Sequence, residues 1–94
     1  MAIHHITFGQ AMASGRPVLA SNPRVAQTMT GDGTSTISAG DGEVCTIYTD
    51  TAIYVHIAAV PSAGADKGYA IAAGGSREFG GMRNGDKVAI AAIV

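Results

Sequence analysis

The residues best placed to do chemistry are three aspartates. Asp32 and Asp41 each sit between two glycines, in Gly31-Asp32-Gly33 and Gly40-Asp41-Gly42, and Asp50 follows nine residues after Asp41. A nine-residue step of Gly and Asp suggests calcium, because carboxylate oxygens are hard ligands and the calcium-binding nonapeptide has that period. That repeat needs Gly-Gly-x-Gly-x-Asp, and neither turn has it. An EF-hand loop needs alternating acidic positions and a terminal Glu, which are also absent. Asp and Gly are the residues that tight turns require for their own reasons, so the turn reading outweighs the metal reading.

Three histidines are the next candidates. His4 and His5 are adjacent, so in a strand they point to opposite faces, and His56 stands alone. A metal site wants three or four convergent ligands, and this spacing does not provide them. Cys45 lies between Val44 and Thr46 with no adjacent base to activate it, so it reads as a buried small hydrophobe. No Gly-x-Ser-x-Gly elbow and no Gly-x-Gly-x-x-Gly phosphate loop occur. Tyr48 and Tyr54 flank one turn at similar distances, so a cross-strand pair, and with Tyr69 a sugar-stacking platform, is a minor possibility. The chain lacks Trp and has only four amide side chains to support one. No catalytic, cofactor-binding or metal-binding residue is expected, and no enzyme.

The elements that would position these residues follow from composition. The 94 residues allow one domain. Nine Ile, seven Val and eight Thr stand against one Leu, and thirteen Gly and three Pro supply turns. Side chains branched at Cβ fit pleated strands, so an all-β fold is expected. Ile, Val, Leu, Met and Phe together make only 23 residues, while Ala makes seventeen. A domain of this size buries only about 60–65% of its unfolded surface, so a core this poor in large side chains points to help from neighbouring subunits.

Charge excludes further classes. Six basic and seven acidic residues give a net charge of −1, and the basic ones are scattered, so no nucleic-acid stripe is present. No run of 18 apolar residues occurs to span a membrane. The start, Met1-Ala2-Ile3-His4-His5, lacks the basic-then-apolar pattern of a signal peptide. One cysteine allows no internal disulfide, which fits folding in a reducing cytoplasm.

Turn signals 8–12 residues apart mark an antiparallel sandwich or barrel. They place strands at about 24–30, 34–38, 43–49, 52–60, 69–73, 76–82 and 86–93, read as a meander of hairpins. In 52–60, Ile53, Val55, Ile57 and Ala59 form the core face, and Tyr54 and His56 lie on the other. In the last strand both faces are apolar, so cover on both sides is expected. Residues 1–22 read as an extended N-terminal arm with one short strand at 3–8, followed by a β-domain over 23–94. Ile3, Ile6, Phe8, Met12, Val18 and Leu19 make this arm too apolar for a solvated tail, so it should dock on its own domain or on a neighbour.

The segment from Asp50 to Ala63, Asp50-Thr51-Ala52-Ile53-Tyr54-Val55-His56-Ile57-Ala58-Ala59-Val60-Pro61-Ser62-Ala63, resembles a stretch of small virion proteins of tailed bacteriophages. There an aliphatic strand runs into a Pro-Ser/Thr-Ala loop. Gly68-Tyr69-Ala70-Ile71, then Arg77-Glu78-Phe79, then Gly85-Asp86-Lys87-Val88-Ala89-Ile90 continue the likeness, which covers about 24–94. The resemblance is one of strand and turn types. It implies a small antiparallel β-sandwich or jelly-roll-like barrel that decorates a capsid or forms a head fibre, as a homo-oligomer and commonly a trimer. It carries no catalytic residue. The expected partners are further copies and the major capsid protein or another virion protein, and the expected location is the virion. Candidate contact residues are Ile3, Ile6, Phe8, Met12 and Leu19 in the arm, with Tyr54 and His56. A tail or baseplate component, or a carbohydrate-binding module for the host surface, is the alternative.

Overall fold

A computed structural model of the chain describes residues 2–13, 17–19 and 23–93, with side chains over 2–10 and 23–93. The described residues contain ten strands and no helix: β1 (His4–Gly9), β2 (Ala11–Ala13), β3 (Pro17–Leu19), β4 (Val25–Met29), β5 (Gly33–Thr34), β6 (Val44–Thr49), β7 (Ile53–Ala58), β8 (Tyr69–Ile71), β9 (Ser76–Phe79) and β10 (Lys87–Ala92). Two four-stranded antiparallel sheets form, sheet 1 in the order β4-β1-β6-β9 and sheet 2 in the order β5-β10-β7-β8. Their inner faces share one core, so the chain is a small all-β sandwich. The strands expected at 24–30, 43–49, 52–60, 69–73 and 86–93 form with shorter ends, whereas the one expected at 34–38 is reduced to the two residues of β5 and the one at 76–82 stops at Phe79.

Side-chain rows explain the core. Across sheet 1, Val25, Phe8, Cys45 and Phe79 make one inward row, and Gln27, Ile6, Ile47 and Arg77 the next. Across sheet 2, Tyr69, Val55 and Ile90 are in register, followed by Ile57 with Val88. The alternation of Ile53, Val55 and Ile57 toward the core, with Tyr54 and His56 away from it, is as the sequence indicates. In β10 the expected cover on both faces holds for Val88, Ala89 and Ile90, which are all buried, while Ala92 at the strand end is exposed.

The arm reading needs correction over its first half. β1 is an interior strand of sheet 1, paired with β4 on one side and β6 on the other. Ile6 and Phe8 are 0% exposed, so they are core residues and not contacts for a partner. The physical reason is area: two large apolar side chains are worth about 1.5–3 kcal/mol each when buried, and this core has few others. Among the described residues, β2 and β3 pair with each other and with neither four-stranded sheet. Met12 and Leu19 lie in these strands, and their side chains are outside the described residues.

The hairpin meander also needs correction. β4 and β5, β5 and β6, and β6 and β7 are consecutive in sequence but belong to opposite sheets. The turns at Asp32, Asp41 and Asp50 are therefore corners between sheets. Each carboxylate accepts a backbone N–H from a distant segment: Asp32 from Ala92 at 2.9 Å, Asp41 from Asn84 at 2.8 Å, and Asp50 from Ile3 at 2.7 Å. The glycines beside them hold positive φ, 109° at Gly31 and 74° at Gly42, which lets the chain turn out of one sheet into the other.

Candidate functional site

Two surfaces stand out, and the first is a cleft. Strand β8 is the edge of sheet 2 and β9 the edge of sheet 1, and between them the sandwich opens into a cleft of about 590 Å³. Val55, Ile57 and Met82 lie at its base, and Tyr69, Arg77 and Phe79 form its mouth, with Gly80, Gly81 and Asp86 alongside. The register explains how the mouth is built. Tyr69 pairs with Val55 and Phe79 with Cys45, so both rings come from core-facing positions at the ends of short edge strands. Their centroids are 5.5 Å apart at 45°. The Arg77 guanidinium lies 5.4 Å from the centroid of the Tyr69 ring, a cation–π contact. Tyr69 nevertheless remains 59% exposed. An aromatic ring held by two neighbours and still open to solvent is a ready contact surface for a ligand or a partner chain.

The second surface is the outer face of sheet 2. Ala70, Tyr54 and Ala91 form one row across β8, β7 and β10, and His56, Ala89 and Thr34 the next. Tyr54 and His56 are half-buried. The His56 Nδ1 accepts the backbone N–H of Ser62 at 2.9 Å, so the 59–68 loop folds back against this face and leaves the ring proton on Nε2. Three of the seventeen alanines, Ala70, Ala89 and Ala91, thus lie on this face around Tyr54. The outer face of sheet 1 is different in kind, with Thr28, His5, Tyr48 and Ser76 in one row and Thr7, Thr46 and Glu78 in the other.

The remaining candidates separate. Ile3, 41% exposed, lies at the β6–β7 corner, where Asp50 both donates to its carbonyl and accepts its N–H. His4 is buried, with Nδ1 2.8 Å from Thr49 Oγ1, and burial holds its pKa below 6.5. His5 points to the opposite face and meets Thr28 Oγ1 at 3.0 Å. The three histidines do not converge. Among the described residues no group of three or more His, Cys, Asp or Glu side chains could hold a metal ion. Cys45 is buried as expected, and burial pushes its thiol up to about 12, which makes it unreactive. Tyr48 and Tyr54 do not form a platform, because β6 and β7 lie in opposite sheets.

The sequence reading passes over the cleft. Its signal is the alternation of Arg77 and Phe79, which puts a charged and an aromatic side chain on one face of a strand. The ring of Tyr69 joins them only through the pairing of two sheets. Comparison with protein-family models, with curated proteins and with solved structures finds no match for this chain.

Proposed function

We propose that this chain is a structural protein of a tailed-bacteriophage virion, a capsid decoration or small head-fibre protein that acts as a homo-oligomer, with a trimer favoured. The observation that carries this reading is the outer face of sheet 2, where Ala70, Tyr54 and Ala91 share a row. Small side chains let another backbone approach closely, and the tyrosine supplies an anchor of large area. The likeness of residues 50–63 and 68–90 to small virion proteins supports the same reading, since those segments build β7, β8, β9 and β10.

The work of such a protein is thermodynamic. Copies bridging shell subunits add interface, and an obligate interface of about 2,000 Å² or more is the expected scale. Much of the stability that 23 large aliphatic and phenyl side chains do not supply would come from that contact.

The test is binding to expanded phage capsid shells stripped of their own decoration protein, followed by co-sedimentation. The intact chain should bind and the Ala70→Arg variant should lose binding while keeping its circular dichroism. A chain with no affinity for such shells removes the reading. Labelling of particles that places the chain on the tail moves it to the tail or baseplate.

A further inference from the structure

Strand β9 and the far end of β7 present two open backbone edges to the cleft. The β7–β8 register pairs Val55 with Tyr69, so the residue due opposite Ile57 is Lys67. Lys67 instead gives its N–H to the Gly64 carbonyl at 3.1 Å, inside its own turn. The Ile93 N–H donates to the Ala52 carbonyl, and the alternation of an antiparallel ladder then turns the backbone groups of Tyr54, His56 and Ala58 toward β10 and those of Ile57 away from it. On the other side, the Thr49 N–H donates to the Gly75 carbonyl, so Arg77 and Phe79 bond β6 and the N–H and C=O of Glu78 point off the sheet edge. The Glu78 carboxylate lies on the outer face with Thr7 and Thr46, so it is the Glu78 backbone that lines the cleft. Facing sheets lie about 10 Å apart and paired strands about 4.8 Å, so one extended chain between these edges comes within pairing distance of both.

The two ends of the cleft carry opposite charge. Along β6, Arg77 stands opposite Ile47 and Phe79 opposite Cys45, and the Met82 N–H donates to the Glu43 carbonyl. Asp86 belongs to that last end, since its Oδ2 accepts the Arg83 N–H at 3.0 Å. Four residues of strand, about 13 Å, therefore separate the Arg77 end from the Asp86 end. Val55, Ile57 and Met82 form the apolar base between them. Among the described residues the Arg77 guanidinium has no carboxylate partner, the one ion pair being Arg24 with Glu43.

We propose that this cleft binds an extended segment of a partner protein that carries a basic residue, an apolar residue two positions on, and an acidic residue two positions beyond that. Alternate side chains of a strand share a face, so these three meet Asp86, the apolar base and Arg77 in turn. The direction follows from the strands. Phe79 meets Tyr69 and Arg77 meets Ala70, so β9 runs against β8 and therefore along β7. A segment antiparallel to both, the stronger pairing, enters at Asp86 and leaves at Arg77, which puts its basic residue first. Its acidic residue meets a guanidinium already held over the Tyr69 ring. This site lies apart from the outer face of sheet 2 and does not depend on the virion reading.

The experiment uses the full chain and the acetylated, amidated peptide Thr-Lys-Thr-Val-Thr-Glu-Thr. Titration calorimetry should show one peptide bound per chain. Arg77→Gln and Asp86→Asn keep a donor and an acceptor in place and should keep the circular dichroism. Each should weaken binding about tenfold, the loss of one charged hydrogen bond. The peptide with Lys and Glu exchanged should bind about a hundredfold more weakly, because like charges then meet at both ends. Amide exchange should slow in the complex at Ile57, and at Glu78 across the cleft, which a contact through side chains alone does not produce. The proposal is overturned if the peptide does not bind, if the exchanged peptide binds as well, if neither substitution weakens it, or if Ile57 exchanges no more slowly in the complex. A full chain that is a multimer by light scattering and protects Ile57 without peptide assigns the cleft to a second copy and overturns it as well. Ala70→Arg, on the outer face of sheet 2, should leave peptide binding unchanged. A chain that ignores capsid shells and binds the peptide keeps this site while the virion reading falls.

Discussion

Gln27 and Arg77 occupy the two ends of a single cross-strand row, with Ile6 and Ile47 between them. Both edge strands of sheet 1 therefore place a long polar side chain on the core side; that of Gln27 reaches the β5–β6 connection and that of Arg77 reaches β8 of the other sheet. The Gln27 Oε1 accepts the N–H groups of Thr36 at 2.9 Å and Ile37 at 3.3 Å, and the Arg77 Nη1 lies 3.4 Å from the Ala70 carbonyl. An inward polar residue on an edge strand closes the side of a sandwich and discourages edge-to-edge pairing. Gln27→Ala should cost about 1–2 kcal/mol in urea unfolding, because two N–H groups lose their partner. Arg77→Val should leave stability nearly unchanged and raise the tendency to aggregate, read by light scattering during refolding.

The pH dependence of stability should show two separate steps. Burial lowers the His4 pKa below its ordinary 6.5, so the unfolded chain binds that proton more readily than the folded one. Stability from this group is complete above pH 6.5 and declines as pH falls from there toward the folded value. The Arg24 guanidinium, at 2.8 and 2.9 Å from the two carboxylate oxygens of Glu43, holds that carboxyl below 4.5. Its contribution is complete above pH 4.5 and is lost as pH falls through the folded value. Urea midpoints measured from pH 8 to pH 3 should drop in both windows. His4→Leu should flatten the upper one and Glu43→Gln the lower.

Strand β1 and the hairpin that follows it should respond oppositely to removal. Phe8→Ala should cost about 3–5 kcal/mol, since a buried ring leaves a cavity in a small core. That is a large share of the roughly 5–15 kcal/mol available to a whole domain, so the urea and thermal midpoints of the variant should fall steeply. Replacement of residues 10–22 by Asn-Gly should keep the two-state transition of the full chain. A Phe8→Ala protein with unchanged midpoints would contradict the assignment of β1 to the core.

The three aspartates should act as corner pins and not as ligands. Asp50→Ala strands the Ile3 N–H and Asp32→Ala the Ala92 N–H, and each should lower stability by about 1 kcal/mol. Addition of calcium or of a chelator should leave the thermal midpoint in place. A rise of several degrees with calcium would restore the metal reading.

Two glycines with similar backbone angles should tolerate alanine very differently. Gly68 has φ +86° and faces the Val55 carbonyl, whereas Gly74 has φ +74° and nothing within 4 Å of an added Cβ. Gly74→Ala should cost about 1 kcal/mol, the strain of the left-handed conformation alone. Gly68→Ala should cost more and also pull β8 from β7, seen as faster amide exchange at Tyr69 and Ile71.

The sequence by itself determined the class and the places of the longer strands from 24 onward, but not β2 and β3, nor the shortness of β5. Ile, Val and Thr without Leu favour pleats, and Gly and Asp at nine-residue steps mark where the chain turns, both through local conformational preference. It also showed which face of 53–58 is core, because alternation along one strand needs no knowledge of its neighbours. Only the tertiary structure decided which sheet each strand joins. A Gly-Asp-Gly turn is locally compatible with a hairpin or with a corner, and the choice depends on distant partners such as Ala92, Asn84 and Ile3. The same holds for β1, whose apolar residues suit an arm or a core strand until β4 and β6 close on either side. The cleft at Tyr69, Arg77 and Phe79 is the clearest case. Its rings come from strands of opposite sheets, and its opening exists because β8 stops at Tyr69 while β7 continues to Ala58, a difference in length that only the pairing reveals.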